Sequence, residues 1–268
     1  MIYGRIYSKI SKKLLESLSG HPLSDLYYIL ALFYFRILGY PDIASHMRFK
    51  MINKYTILKN KVKLLDVGAG NGIYALEYAD AKKIHAAGIE GRQERVIRAN
   101  SIAKELGLSA KFFQKNLETV KLQKNSYDII LCLEVLEHIK KDQRLIKQMA
   151  SALKVGGYLF ITIPKYGKEG SVEFKTYQPF EHVRNGYSEE YFQEIAQSIN
   201  INIVEIKPYF LFFTKNMVRI QQYIFLKLHP IFNILTFPLL LLIAHLDILL
   251  PIHSSARGIF VVYRKDTL

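Results

Sequence analysis

The stretch KLLDVGAGNG, residues 63–72, decides the fold of this chain. It is an apolar run that reaches Asp66, after which Gly68, Gly70 and Gly72 occupy every second position before a segment with helical spacing. Glycine permits a tight turn and a close approach of the backbone to a ligand, and the helix N-terminus that follows favours electron-rich groups. The stretch therefore predicts a strand, a glycine turn and a helix that form part of a nucleotide site.

The residues on either side of this stretch predict an α/β fold. Short apolar runs alternate with longer segments at helical spacing, which is typical of a parallel sheet with helices on both faces. The runs are KLLDV, HAAGI, AKFFQ, YDIILCL and GYLFITI, at residues 63–67, 85–89, 110–114, 127–133 and 157–163. Beyond them the pattern predicts a helix at 188–198 and two further strands at 201–207 and 259–264.

Glu90 follows the second of these runs. A carboxylate at this strand end can accept hydrogen bonds from both hydroxyls of a ribose. A dinucleotide site would have the spacing Gly-x-Gly-x-x-Gly, whereas the spacing here is Gly-x-Gly-x-Gly. We therefore expect an adenosine-binding half-fold.

Taken in order, these segments resemble the class I S-adenosylmethionine-dependent methyltransferases, over about residues 46–207 and again at 259–264. The resemblance implies a Rossmann-like, seven-stranded, mostly parallel sheet with an antiparallel last strand, and S-adenosyl-L-methionine as the cofactor. It implies N-terminal helices over 1–60, a cofactor domain over 61–207 and 259–268, and a hydrophobic helical insertion over 208–258. The residues that it assigns to the cofactor are Arg48, Asp66, Gly68, Gly70, Glu90, Asn116, Leu117 and Leu133, although Asp is commoner than Asn at position 116.

A second group of residues could carry the chemistry. Glu134, Glu137 and His138 come just after a strand, and on one helical turn they would share a face. With His182 they could hold a divalent cation, Mg or Mn, that lowers the pKa of an acceptor hydroxyl. They resemble residues of quinone-biosynthesis O-methyltransferases and small-RNA 2'-O-methyltransferases, which carry Glu-x-x-Glu-His. The alternative is a metal-free site in which Glu134 caps a helix and His138 or His182 acts as a general base or has a structural role.

The charge indicates a polyanionic partner. The 37 Lys and Arg exceed the 23 Asp and Glu, which gives a net charge of +14. Such a surplus attracts nucleic acid or an anionic membrane surface, but the basic residues form no block typical of a nucleic-acid tail. Cys132 is the single cysteine and the N-terminus does not resemble a secretory signal; both favour the cytoplasm.

Residues 231–252, IFNILTFPLLLLIAHLDILLPI, have the most unusual composition. They approach the length of a membrane span, but prolines, His245 and Asp247 interrupt them. We expect a hairpin lying in the membrane interface, with a hydrophobic lid, a dimer surface or a true span as alternatives.

An apolar element beside the active site favours a lipid, a quinone or a lipid-linked glycan as the acceptor, at the inner face of the membrane. The rivals are an RNA methyltransferase, although we expect no nucleic-acid partner, and a non-catalytic membrane module. The oligomeric state stays open.

Overall fold

The computed structural model describes Ile6 and residues 42–55, 62–82, 84–165, 182–184, 186–228 and 230–266. Of the N-terminal helices that we predict over 1–60, Ile6 and residues 42–55 are described, and the rest of that range lies outside the described residues. The chain divides into two compact units. The cofactor unit comprises Lys59–Ala79, Lys83–Tyr209 and Ala256–Leu268; the helical unit comprises Met1–Leu58, Asp80–Lys82 and Phe210–Ser255.

The cofactor unit contains a seven-stranded sheet in the order β3-β2-β1-β4-β5-β7-β6. The strands are β1 Lys63–Val67, β2 His85–Glu90, β3 Ala110–Gln114, β4 Tyr127–Leu133, β5 Leu153–Pro164, β6 Asn202–Tyr209 and β7 Gly258–Arg264. Strands β1 to β5 pair in parallel, whereas β7 is antiparallel to both β5 and β6. The predicted fold class is confirmed. Only β5 differs clearly from its predicted bounds, since it begins four residues earlier.

In the described part of the chain, four helices connect these strands: α2 Ile73–Lys82, α3 Gln93–Glu105, α4 Asp142–Ala152 and α5 Glu189–Ile199. Helix α5 lies where the sequence predicts it, because the Ser188 side chain caps its first turn by accepting from Tyr191 N, and Asn200 ends it in the left-handed conformation. The central strands are buried against α4 and α5. A parallel sheet of this kind brings the carboxyl ends of β1, β2 and β4 to one edge, which is where open α/β sheets bind ligands.

The helical unit contains α1 Ile43–Asn53, α6 Phe212–Lys227 and α7 Pro230–Ala244, with short 3-10 helices at His245–Ile248 and His253–Ser255. Buried polar groups connect these helices. Gln221 Nε2 donates to Asn233 Oδ1 at 3.0 Å, and Gln221 Oε1 accepts from Ile43 N at 2.8 Å. Gln221 of α6 is therefore hydrogen-bonded both to α7 of the apolar insertion and to α1.

Asp247, the acidic residue within the apolar stretch, has a structural role. Its carboxylate accepts hydrogen bonds from the backbone N–H groups of Phe213 and Thr214, each at 2.8 Å. These N–H groups belong to the first turn of α6, where no helical carbonyl can reach them. Asp247 therefore caps a helix that begins 35 residues before it. Among the described residues, no helix combines the length and the apolar character that crossing a bilayer requires.

Helix α7 is apolar on two faces. One face is buried and carries Phe237, Leu240, Leu241 and Ala244. The other face carries Phe232, Leu235, Leu239 and Leu242, whose exposed fractions lie between 47% and 67%. We call these four residues the outer stripe. Their spacing of three, four and three residues places them on one side of the helix.

Candidate active site

The glycine turn after β1 has the backbone conformation that its composition predicts. Gly68 and Gly70 have φ angles of 73° and 55°, which glycine adopts without steric cost. A Cβ atom on Gly68 would overlap the Val135 side chain, whereas a Cβ atom on Gly70 would meet only Arg95 Nη1, at 4.0 Å. Gly68 is therefore required by packing within the protein, and Gly70 faces open space where a ligand could lie.

Glu90 connects this turn to the next one. Its Oε2 accepts from Gly70 N at 2.9 Å, and its Oε1 accepts from Arg92 N at 3.0 Å. The carboxylate is largely buried at the carboxyl end of β2. These two bonds hold it beside the glycine turn, in the place where a ribose acceptor is predicted.

Asp66 is completely buried on β1. Burial raises the pKa of its carboxyl from 3.8 to about 7, the negative charge of Glu90 adds to this effect, and a hydrogen bond from the Ala75 backbone opposes it. Asp66 Oδ2 has no hydrogen-bond partner among the described residues. The carboxyl, directly before the glycine turn, is thus only partly ionised near pH 7.

The other residues assigned to the cofactor lie in different settings. Lys115 N donates to Glu90 O at 3.0 Å, which ties the end of β3 to β2. Next to it, Asn116 is exposed and uses its Oδ1 to accept from Glu118 N, while Leu117 is half-buried against the core.

Leu133 ends β4, where it pairs with Thr162 of β5. Arg48 lies in the helical unit, where its guanidinium is 5.2 Å from the centre of the Phe210 ring. The cofactor roles of Arg48, Asn116, Leu117 and Leu133 stay predictions.

Three of the four candidate metal ligands come together. Glu137 is buried, His138 and His182 are half-buried, and one ligand atom from each lies within 4.8 Å of the others. The two imidazole rings are edge to face, with centroids 4.7 Å apart. The backbone adds a direct link, since Val183 N donates to Glu137 O at 2.8 Å.

Glu134 is placed differently from the prediction. Its φ is 55°, and the helical turn that carries Glu137 and His138 begins only at Leu136. Glu134 therefore does not share a helical face with them, and the turn has no side-chain cap. Its Oε1 instead accepts a hydrogen bond from the Tyr209 hydroxyl.

Tyr209, which contacts the predicted site residue Glu134, is a residue that the sequence reasoning missed. It ends β6 and pairs with Gly258 of β7. A Cβ atom on Gly258 would overlap the Tyr209 ring, so the glycine makes room for that ring. A glycine at the start of the last strand is the one local signal that could have pointed to it.

The electrostatics of the imidazole pair favour a neutral His182. Burial lowers the pKa of His182 below its usual 6.5, the neighbouring His138 lowers it further, and Glu134 opposes both. A neutral imidazole can accept a proton at pH 7, as a general base must.

Comparison with known proteins agrees with this geometry. Residues 58–204 match the family model described as a methyltransferase domain. The chain belongs to the class I S-adenosylmethionine-dependent methyltransferases. A ubiquinone biosynthesis O-methyltransferase of Rickettsia canadensis is 33% identical over 103 residues, which are 38% of this chain and 43% of the relative. The enzyme of the same name from Coxiella burnetii is 32% identical over 120 residues, 45% of this chain and 50% of the relative. The chain thus matches about half the length of these relatives.

Solved structures share the fold. Phosphoethanolamine N-methyltransferase 2 of Haemonchus contortus, in complex with S-adenosyl-L-methionine, has a TM-score of 0.65 at 18% identity. The similarity covers 83% of this methyltransferase and 53% of that chain. A sarcosine dimethylglycine methyltransferase from Galdieria sulphuraria has a TM-score of 0.60 at 15% identity, over 84% and 86% of the two chains. At these identities the likeness concerns the fold alone.

Proposed function

We propose that this methyltransferase transfers the methyl group of S-adenosyl-L-methionine to a hydroxyl oxygen of a quinone-type or other lipid-linked acceptor. The observation that carries the proposal is the contact between the ring of His182, which follows β5, and the ring of His138, on the segment that follows β4. Val135 of the same segment occupies the space beside Gly68 of the glycine turn. A candidate proton acceptor thus belongs to the same sheet edge as the turn assigned to the cofactor.

The protein has two chemical tasks in this reaction. When bound, the cofactor supplies an activated methyl group on a positively charged sulfur. The chain must align the acceptor oxygen with that methyl group and remove the hydroxyl proton. A ring nitrogen of neutral His182 takes the proton while the oxygen lone pair forms the new C–O bond, and the electrons of the broken C–S bond stay on sulfur.

A divalent cation is the alternative means of activating the hydroxyl. One buried carboxylate and two imidazoles form a donor set that suits Mn, and a carboxylate also suits Mg. Glu137, His138 and His182 would hold the ion, which would lower the pKa of the acceptor hydroxyl. We favour the metal-free assignment because Glu134, the fourth predicted ligand, is hydrogen-bonded to Tyr209.

The proposed acceptor class is supported by the relatives and by the helical unit. The two relatives above are named for ubiquinone biosynthesis. The outer stripe of α7 exposes one Phe and three Leu, and apolar surface of this kind favours lipid over an RNA backbone. A net charge of +14 would attract the chain to an anionic inner membrane face from the cytoplasm.

The test is methyl transfer from isotopically labelled S-adenosyl-L-methionine to fractionated lipid extracts, with total RNA as the competing substrate. Label is expected in the lipid fraction. His182→Asn removes the general base and should lower kcat by about 10²–10⁴, with cofactor affinity unchanged. His85→Asn is the matched control, because His85 is an exposed histidine at the start of β2, bonded to Ser109. Label in RNA instead of lipid would overturn the acceptor class, and full activity of His182→Asn would overturn the assignment of the proton acceptor.

A further inference from the structure

Asp142, the first residue of α4, is a buried carboxylate with an unusual number of donors. It is 1% exposed. Its Oδ1 accepts from Gln143 N at 2.8 Å and from Arg184 Nη2 at 3.1 Å. Its Oδ2 lies 2.9 Å from Arg184 Nε, 2.9 Å from the Tyr187 hydroxyl and 2.7 Å from the Tyr191 hydroxyl. A buried carboxylate satisfied in this way holds its partners in defined positions.

The side-chain donors come from one stretch of chain that also carries His182. We call residues 182–184 and 186–191 the strap. Arg184 follows His182 by two positions, and Tyr187 and Tyr191 follow in the same stretch. Two further contacts tie the strap to the helical turn of His138. Val183 N donates to Glu137 O at 2.8 Å, and the Tyr187 hydroxyl lies 2.8 Å from Leu136 O, so that it can donate there or to Asp142.

We propose that Asp142 and Arg184 are positioning residues that hold His182 against His138. The expected effect on kcat rests on the proposed methyl transfer. The expected effect on the position of the His182 ring does not. The two histidines are 44 positions apart in the sequence, and His182 belongs to the strap. The strap is anchored two residues after His182 by a bidentate guanidinium–carboxylate pair, whose geometry restricts both rotation and translation. Removal of that anchor should let His182 move away from His138.

The first measurement is independent of turnover. In NMR spectra of the full chain, nuclear Overhauser contacts between the His138 and His182 rings are expected, since the centroids are 4.7 Å apart. His138→Asn and His182→Asn assign the signals. Arg184→Gln should lose the contacts. Lys154→Gln is the matched control: it breaks the ion pair of Lys154 with Asp128 at 2.7 Å, and it should retain the ring contacts. The Lys154 and Arg184 side chains have similar exposure, 37% and 42%.

The second measurement is kinetic. A displacement of about 1 Å can cost about 10²-fold in rate, so Arg184→Gln should lower kcat by about 10- to 100-fold while the affinity for S-adenosyl-L-methionine stays unchanged. If Arg184 acts only through His182, the double variant with His182→Asn should be no slower than His182→Asn alone. Arg184→Lys keeps the charge but not the two-point contact, and should recover part of the rate.

Each outcome decides the proposal. Unchanged ring contacts and unchanged kcat in folded Arg184→Gln overturn it, and so does additive loss in the double variant. If Arg184→Gln does not fold, Tyr191→Phe serves instead, because it removes one hydrogen bond to Asp142. It should weaken the ring contacts and lower kcat by less than Arg184→Gln would; no change in either overturns the proposal. If the wild-type protein shows the ring contacts and the variant loses them, but neither transfers methyl groups, the positioning stands and the proposed function fails.

Discussion

Gly70 and Glu90 are joined by a hydrogen bond of 2.9 Å between the Gly70 backbone N–H and Glu90 Oε2. The bond links the glycine turn after β1 to the carboxyl end of β2. One carboxylate oxygen faces each of the two turns, since Oε1 accepts from Arg92 N. The site assigned to the ribose is thus held in shape by the same group that is expected to bind it.

Substitution of Glu90 should weaken cofactor binding. Hydrogen bonds to a charged group contribute roughly 1.5–3 kcal/mol each, so Glu90→Ala should raise the Kd for S-adenosyl-L-methionine by about 100-fold or more, and Glu90→Gln by about 10-fold. Isothermal titration calorimetry measures both. Asp128→Asn is the control, because Asp128 is a carboxylate at the start of β4 that accepts from Lys63 N and Lys154. Equal affinities in all variants would contradict the ribose assignment.

The two glycines of the turn should respond differently to alanine. At Gly68 the added methyl group overlaps Val135 and the positive φ is strained, so Gly68→Ala should lower the free energy of unfolding by about 2–4 kcal/mol. At Gly70 the methyl group enters open space, so Gly70→Ala should cost only about 1 kcal/mol but should reduce cofactor affinity. Urea unfolding and calorimetry separate the two effects. A Gly68→Ala protein as stable as wild type contradicts the packing assignment.

Asp66 should make the protein less stable as the pH rises. Its pKa is about 7 in the folded chain against 3.8 ordinarily, so the folded state binds a proton that the unfolded state has released between these values. The contribution to stability is therefore largest below pH 4 and decreases as the pH rises through 7. Asp66→Asn cannot ionise and lacks this pH dependence. The free energy of unfolding of the variant minus that of the wild type should therefore be roughly 2–3 kcal/mol larger at pH 8 than at pH 5. Urea unfolding at both pH values tests this; a parallel pH dependence of the two proteins contradicts it.

Chelation should leave methyl transfer unaffected. If His182 accepts the proton directly, excess EDTA does not change kcat, and added Mg or Mn does not raise it. The assay is the labelled methyl transfer above, after dialysis against chelator. If chelator abolishes activity and one added divalent ion restores it, the result supports a metal held by Glu137, His138 and His182 instead.

The outer stripe should bind lipid vesicles. Full burial of a Leu or Phe side chain releases about 1.5–3 kcal/mol, whereas a Lys or Arg near an anionic surface contributes about 1 kcal/mol. Replacement of Phe232, Leu235, Leu239 and Leu242 by Ser or Gln should therefore abolish cosedimentation with anionic vesicles, and high salt should only weaken it in the wild type. Cofactor affinity should not change.

Ile97 and Val155 supply the control for this experiment. They are exposed apolar residues of the cofactor unit, 61% and 51% exposed, and their replacement by Gln should leave vesicle binding intact. If the outer-stripe variant still cosediments, the stripe has another partner. A change from dimer to monomer in the same variant would identify a second copy of the chain as that partner.

The local part of this protein follows from sequence alone. The run KLLDV, the alternating glycines and Glu90 predict strand, turn, helix and strand, because backbone preference and the two-residue period of strands act over a few positions. The same holds for α5, which has its capping Ser188 and its terminal Asn200 in the sequence. The seven-stranded sheet was predicted from the resemblance that these segments, taken in order, bear to a known family.

Only the tertiary structure decided which distant groups meet. Leu239 and Leu240 are neighbours of the same type, yet packing exposes one and buries the other. The sequence alone shows Asp247 only as a charge that interrupts an apolar run. The structure shows that its carboxylate accepts hydrogen bonds from two N–H groups of α6. Glu134 bonds to Tyr209, 75 positions away, rather than joining Glu137, and His182 meets His138 through the strap. These pairings depend on how separate elements pack against each other. The local periodicity of the chain does not determine which distant side chains come into contact.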